Sequence, residues 1–141
     1  MEEIREFFAE RDRFAAHCGI ELLEVGQGRA RTRMVLGAQH LNGADTVHGG
    51  AIFTLADLAF AAASNSHATL ALAINVSISY MKAARQGTLY AEAEEVSCNP
   101  RLGSYTIRIT DDEGDLVAIF QGMAYRKKER LEDLVSTGGP A

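Results

Sequence analysis

The sequence is poor in cysteine and has no long apolar run. Its two cysteines, Cys18 and Cys98, show neither Cys-x-x-Cys nor Cys/His spacing. We therefore expect neither a zinc site nor a disulfide framework, and we favour a reducing compartment. No apolar stretch approaches the roughly 18 residues that cross a bilayer, and the amino terminus lacks the apolar core of a signal peptide. These absences predict a cytoplasmic protein with no membrane partner.

Basic residues are also scarce. The chain carries 14 lysines and arginines against 19 aspartates and glutamates, a formal net charge of −5. Binding to the backbone of a nucleic acid requires a basic surface, so nucleic acid is not expected as a partner. Hydrophobic residues make up 47% of the 141 residues, enough to give a core to one domain. We treat residues 1–141 as that single domain.

Hydrophobic periodicity predicts helical structure at the start of the chain and strands in most of the rest. The first 18 residues contain a helix, Glu2–His17, because apolar residues recur there at helical spacing. Six segments have strand character: Ile20–Val25, Ala30–Leu36, Ile74–Tyr80, Leu89–Val96, Ser104–Thr110 and Leu116–Tyr125. The turn sequence at Asp111–Gly114 makes the last two strands a hairpin.

One long apolar helix interrupts the strands. His48-Gly49-Gly50 precedes AIFTLADLAFAAASNS, which is rich in alanine and leucine and contains no proline. Consecutive strands joined by turns form antiparallel sheets, and a single apolar helix must bury itself on such a sheet. The expected fold class is therefore α+β. We expect the charged and then small, polar segment 127–141 to be a flexible tail.

Asp57 is the most unusual residue of this helix, because it lies in the apolar sequence Leu-Ala-Asp-Leu-Ala. Burying a carboxylate costs several kcal/mol unless another group pairs with it. One interpretation is a structural aspartate with a neighbouring partner. The other is a carboxylate in a cleft, available as a base or a nucleophile. The residue alone does not decide between the two.

The glycines before the helix give a second candidate. The first N–H groups of a helix lack partners inside the helix and lie at the positive end of its dipole. Such an end can hold a carbonyl oxygen as it gains negative charge, and Gly49 and Gly50 would allow a close approach. Asn42, in a Leu-Asn-Gly sequence, is more typical of a turn. His48 has a structural interpretation as well, as a satisfied histidine at a helix start.

Other catalytic and metal-binding motifs are missing. The sequence contains no Gly-x-Ser-x-Gly, no His-Glu-x-x-His, no glycine-rich nucleotide loop and no cluster of carboxylates with ligand spacing. We therefore expect no metal and no bound cofactor.

Taken together, the pattern Asn42-x5-His48-Gly49-Gly50-x6-Asp57 resembles the active-site segment of the hotdog-fold acyl-CoA thioesterases, and most closely the phenylacetic-acid-degradation group. The similarity covers about Gly19 to Arg126. It implies a long central helix wrapped by a curved antiparallel sheet of five to six strands. It also implies homodimers that pair into homotetramers, and hydrolysis of acyl-CoA, including aryl or phenylacetyl types, with coenzyme A as part of the substrate.

The same resemblance implies roles for individual residues. Asp57 is the base or nucleophile, the backbone N–H of Gly49 polarises the thioester carbonyl, Asn42 assists there, and His48 shapes the site. Residues implied for substrate binding are Gly50, Asn75, Ser77 and Arg101. Some relatives hold the attacking water with a serine where this sequence has Ala73. Either Asn75 or Ser77 replaces that serine, or Asp57 acts without it.

A geometric argument, independent of the resemblance, supports an oligomer. If Gly49 and Asp57 lie on one continuous helix, eight steps of 1.5 Å separate them by about 12 Å along its axis. A base must come within about 3 Å of its water, and the carbonyl-polarising donor must reach the same substrate. We therefore expect Gly49 of one chain to face Asp57 of another, which gives two equivalent sites in a dimer.

Two other functions remain open. The first is a dehydratase or isomerase acting on acyl thioesters, in which His48 is the proton-transfer base together with Asp57. The second is a non-catalytic domain that binds acyl-CoA. The acyl-group specificity, the choice between a general base and an anhydride intermediate, and the residues that bind the CoA phosphates do not follow from the sequence.

Overall fold

The computed structural model describes residues 1–136, with side chains up to residue 134. Its elements follow in the order α1 (Glu2–Arg11), α2 (Arg13–His17), β1 (Ile20–Gly26), β2 (Arg29–Val35), a 3-10 turn (Ala38–His40), α3 (Gly49–Ser64), β3 (Thr69–Tyr80), β4 (Thr88–Cys98), β5 (Leu102–Thr110), β6 (Leu116–Arg130) and α4 (Leu131–Ser136). The predicted α+β class is confirmed, with all six predicted strands present.

The strands form one antiparallel sheet in the order β1-β2-β4-β5-β6-β3. The predicted hairpin of β5 and β6 is confirmed, and Gly114 in its turn has a φ of 82°, a conformation that suits glycine. Strand β3 follows α3 in the sequence but pairs with the last strand, β6. It therefore forms an edge of the sheet and lies beside the helix that precedes it.

Helix α3 packs across the inner face of the sheet, as the apolar sequence predicts. Its buried residues are Ile52, Leu55, Ala56, Leu58, Ala59, Phe60, Ala62, Ala63 and Ser64. The alanines let the helix approach the strands closely. Gly122 of β6 does the same from the sheet, because a Cβ there would lie 2.8 Å from the ring of Phe60. Close packing of this kind fixes the rotation of α3 and hence the direction of its remaining side chains.

Strand β3 differs from the predicted simple alternation. Its pairing with β6 shifts between Ala73 and Asn75, so that Ala73 lies opposite Ala124 and Asn75 opposite Met123. This bulge adds one residue and reverses which side chains face inward. Ile74 is consequently 55% exposed, whereas Val76 is half-buried.

Both terminal segments also differ from the prediction. The expected helix Glu2–His17 is two helices, because Asp12 leaves helical geometry (φ −83°, ψ 82°) and caps the second helix by accepting a hydrogen bond from the N–H of Ala15 at 3.0 Å. At the other end, residues 127–136, predicted as part of a flexible tail, continue β6 and form α4. The buried side chain of Leu131 accounts for this order. Residues 137–141 of the predicted tail lie outside the described residues.

Within residues 1–136, every helix is too short or too polar to cross a bilayer.

Candidate active site

The start of α3 is held by the side chain that precedes it. His48 has extended backbone geometry (φ −60°, ψ 133°), and its Nδ1 accepts a hydrogen bond from the N–H of Gly50 at 2.8 Å. Its carbonyl accepts from the N–H groups of Ala51 and Ile52. His48 is therefore the N-cap of the helix, by its ring as well as its backbone.

These bonds leave one backbone N–H at the start of the helix without an acceptor in the described part of the chain. Gly50, Ala51 and Ile52 are all engaged by His48, whereas the N–H of Gly49 has no acceptor among the described residues. It lies at the positive end of the helix dipole. Gly49, rather than Gly50, is thus the backbone group whose N–H is free to polarise a carbonyl, and a substrate-binding role for Gly50 stays a prediction.

Tyr80, which the sequence analysis did not single out, holds the next peptide group. Its hydroxyl donates to the carbonyl of Gly49 at 2.9 Å. The Gly49–Gly50 peptide is therefore fixed at both ends, by Tyr80 at its oxygen and by His48 at its nitrogen. Tyr80 lies 31 residues from Gly49 in the sequence. Only the packing of β3 beside α3 brings Tyr80 and Gly49 together.

Asn42 stabilises the loop that leads into the helix. Its side-chain oxygen accepts from the N–H groups of Ala44 (2.9 Å) and Thr46 (3.2 Å), and its amide nitrogen donates to the hydroxyl of Thr46 at 3.0 Å. This is the turn interpretation given above. A role for Asn42 at the substrate carbonyl remains a prediction.

Asp57 lies in a cleft of about 240 Å³ between α1, α3, β3 and α4. Its side chain is half-buried, and no hydrogen bond or ion pair within the described part of the chain involves its carboxylate. Burial raises the pKa of Asp57, and the negative charge of Asp12 adds to the rise. The structure therefore disfavours a paired, structural aspartate and presents a desolvated carboxylate that faces a cavity.

The remaining candidates lie elsewhere. Asn75 and Ser77 pair with Met123 and Gln121, which are exposed, so the bulge in β3 turns both away from the inner face. Ala73 stays in the Asp57 cleft. Arg101 is exposed in the turn between β4 and β5, where its backbone N–H donates to the side-chain oxygen of Asn99. None of Asn75, Ser77 and Arg101 lines the Asp57 cleft of its own chain.

Another group of polar side chains has potential metal ligands. His67, Glu95 and Cys98 have ligand atoms within 4.8 Å of one another. The carboxylate of Glu95 accepts from Tyr105 at 2.7 Å and contacts the ring of His67 at 2.8 Å, while Arg126 lies 3.1 Å from the sulfur of Cys98. These contacts give His67, Glu95 and Cys98 partners among their neighbours, and the three residues lie outside the Asp57 cleft.

The two groups suited to thioester chemistry are separated within one chain. Gly49 and Asp57 are both part of the continuous helix α3. Eight residues correspond to about 12 Å along the axis and about 80° around it. The free N–H and the free carboxylate therefore cannot act on one carbonyl from the same chain.

Comparison with known proteins identifies the family. The family model described as the thioesterase superfamily matches residues 44–118, which include the start of α3, Asp57 and strands β3 to β5. The chain belongs to the thioesterase superfamily. Acyl-coenzyme A thioesterase PaaI of Escherichia coli is 36% identical over 118 residues, which cover 83% of this chain and 84% of that protein. A protein of Archaeoglobus fulgidus with an esterase designation is 43% identical over 92% of this chain and 84% of its own length.

Solved structures of two proteins that are more than 30% identical to this chain have the same fold. The PaaI protein from the phenylacetic acid degradation operon of E. coli superposes with a TM-score of 0.87 at 32% identity, covering 91% of this chain and 94% of that one. The TT0310 protein of Thermus thermophilus gives a TM-score of 0.79 at 34% identity, covering 83% and 99%. The predicted hotdog fold and the assignment as a thioester hydrolase are thereby confirmed.

Proposed function

We propose that this chain hydrolyses acyl-CoA thioesters to a free acid and CoA at a site shared by two chains. The observation that carries the proposal is the pair of unengaged groups on α3: the N–H of Gly49 and the carboxylate of Asp57. Similarity to the PaaI thioesterase supports acyl-CoA as the substrate class. Phenylacetyl and related aryl groups are the first acyl groups to test.

The chemistry divides between the two groups. The N–H of Gly49 donates to the carbonyl oxygen, which gains negative charge as the carbonyl carbon is attacked. Asp57 either takes a proton from the attacking water or attacks the carbon itself to form an anhydride that water then opens. CoA leaves as a thiolate, and because a thiol has a pKa of about 8.5, no strong acid has to protonate it.

A dimer formed through β3 would bring the two groups together. Strand β3 is an edge of the sheet with 12 residues, and it exposes Leu72 (49%) and Ile74 (55%). A long apolar edge strand associates readily with another strand. Antiparallel pairing of two copies of β3 would continue the sheet and place the α3 helices of both chains side by side. Further pairing of such dimers into a tetramer is part of the same proposal.

The dehydratase or isomerase alternative requires His48 as a base. A neutral imidazole has one basic nitrogen, and Nδ1 of His48 already accepts the N–H of Gly50. This bond favours a structural role for His48 and hence favours hydrolysis over proton transfer on the acyl chain.

Thiol release from a panel of acyl-CoAs tests the proposed function. The panel holds phenylacetyl, hydroxyphenylacetyl, benzoyl and short, medium and long straight-chain acyl-CoAs. We expect kcat/KM above about 10⁴ M⁻¹ s⁻¹ for at least one member. Absence of thiol release from every member, with hydration or proton exchange on an enoyl-CoA instead, would support the dehydratase alternative.

A further inference from the structure

Two apolar side chains from the terminal helices line the cleft at Asp57. We propose that this cleft binds the acyl group and that Phe7 of α1 and Leu131 of α4 form the partition that limits its length. The proposal rests on the proposed function for the identity of the ligand as an acyl thioester. It assigns a specificity-determining role to helices outside the segment, residues 44–118, that matches the family model.

The lining of the cleft suits an apolar group. Besides Asp57, it consists mainly of aromatic and aliphatic side chains: Phe7, Phe8, Phe60, Ala61, Leu70, Ala71, Leu72, Ala73, Leu131 and Leu134. Two further polar residues, Ser64 and Asn65, use their side chains on backbone groups of residues 61 and 71. Asp57 therefore offers the cleft its one polar side chain without a partner in the described part of the chain.

The volume of the cleft indicates the size of the acyl group that it can enclose. An apolar cavity of about 150 Å³ accommodates benzene, and in proportion the cleft of about 240 Å³ accommodates about ten carbons. An aromatic ring with a short spacer fits within this volume, whereas a long fatty acyl chain does not.

A larger groove lies directly beyond the partition. It has a volume of about 740 Å³ and is lined by Met1, Glu3, Ile4, Glu6, Phe7, Glu10, Arg11, Ser66, Ala68, Leu131 and Glu132. In the described part of the chain, Phe7 and Leu131 are the two residues that line both this groove and the Asp57 cleft. Removing the ring of Phe7 would therefore join the two spaces and allow a longer chain to continue into the groove.

Phe7 is the better of the two residues to change. It is half-buried and lies outside the apolar core, whereas Leu131 is buried and its N–H donates to the carbonyl of Ala68 at 3.1 Å. Phe14 provides a matched control, because it is an aromatic residue of the same amino-terminal region, is 64% exposed and lines neither space.

The experiment measures binding by calorimetry, using acyl-CoA analogues in which a methylene replaces the thioester sulfur, so that no hydrolysis is required. With the wild type, each added carbon should lower Kd about fourfold until the chain reaches about ten carbons. In Phe7→Ala the decrease should continue beyond that length, because the chain can enter the larger groove, and in Phe7→Trp it should end earlier. Phe14→Ala should match the wild type.

Thermal unfolding first establishes that both variants are folded. If Phe7→Ala, Phe7→Trp and the wild type then give the same chain-length profile, the proposed role of Phe7 as a partition is wrong. Failure of the proposed function has a different signature. In that case the wild type releases no thiol from true acyl-CoAs, while the binding profiles of the analogues still report whether Phe7 limits the chain.

Discussion

Replacing Asp57 with asparagine is expected to lower kcat/KM for thiol release from the best acyl-CoA by about a hundredfold or more, the usual scale for a positioned base. Asparagine preserves the size of the side chain but cannot accept a proton from water or attack the carbonyl at neutral pH. KM should change less than kcat, because the acyl group is held by the apolar lining of the cleft.

The same change is expected to stabilise the fold at neutral pH. Burial raises the pKa of Asp57 above its ordinary value of 3.8, so the charged form destabilises the folded state at pH values above the folded-state pKa. This penalty shrinks as the pH falls through the folded-state pKa and is absent below 3.8. The free energy of unfolding of Asp57→Asn should therefore exceed that of the wild type at pH 7 and equal it at low pH.

Asp115→Asn is a suitable control, because Asp115 is exposed and pairs with Lys82 at 2.8 Å. It should keep full activity. An Asp57→Asn variant that is less stable than the wild type at pH 7 while retaining activity would point to a structural aspartate instead.

Replacing Gly49 with proline is the second change that should cause a large loss of activity. Proline removes the N–H that has no acceptor, and the loss of one such donor costs about 10² to 10³ in kcat. The backbone accepts the change, since the first position of a helix favours proline and the extended geometry of His48 (φ −60°, ψ 133°) suits the residue before proline.

Gly49→Ala separates the lost donor from added bulk. A Cβ at Gly49 would lie 3.0 Å from the hydroxyl oxygen of Tyr80, and both variants carry that atom, but only alanine keeps the N–H. Steady-state kinetics with one acyl-CoA should give a much higher kcat for alanine than for proline. Equal kcat values for the two variants would mean that the donor is not used and that the contact with Tyr80 explains the loss.

Local patterns in the sequence predicted most of the fold. Helix α3, the β5–β6 hairpin and the six strands follow from periodicity and turn residues that lie close together in the chain. The bulge at Ala73–Asn75 did not, because it depends on how β3 pairs with β6, about 50 residues away. The break at Asp12 was not predicted either, because the apolar residues on both sides of it keep helical spacing. The break arises from the capping hydrogen bond of Asp12.

The candidate site shows the same division. Gly49 and Asp57 stood out in the sequence as glycines before a helix and a carboxylate inside it. That the N–H of Gly49 and the carboxylate of Asp57 have no partners in the described part of the chain follows only from the structure. There, for example, the ring of His48 accepts from Gly50 and not from Gly49. Tyr80 and Phe7 escaped notice because aromatic residues on strands and helices usually belong to a core, and their positions beside Gly49 and Asp57 arise from tertiary contacts.

Mixing two inactive variants tests the shared site most directly. Asp57→Asn and Gly49→Pro chains, carrying different tags, are co-expressed or unfolded and refolded together, and thiol release is compared with each variant alone. In the proposed mixed dimer, Gly49 of the first chain would face Asp57 of the second, which would restore one of two sites. Since random pairing makes about half of the dimers mixed, we predict about a quarter of wild-type activity. Activity no higher than the average of the two variants would contradict a site built from two chains.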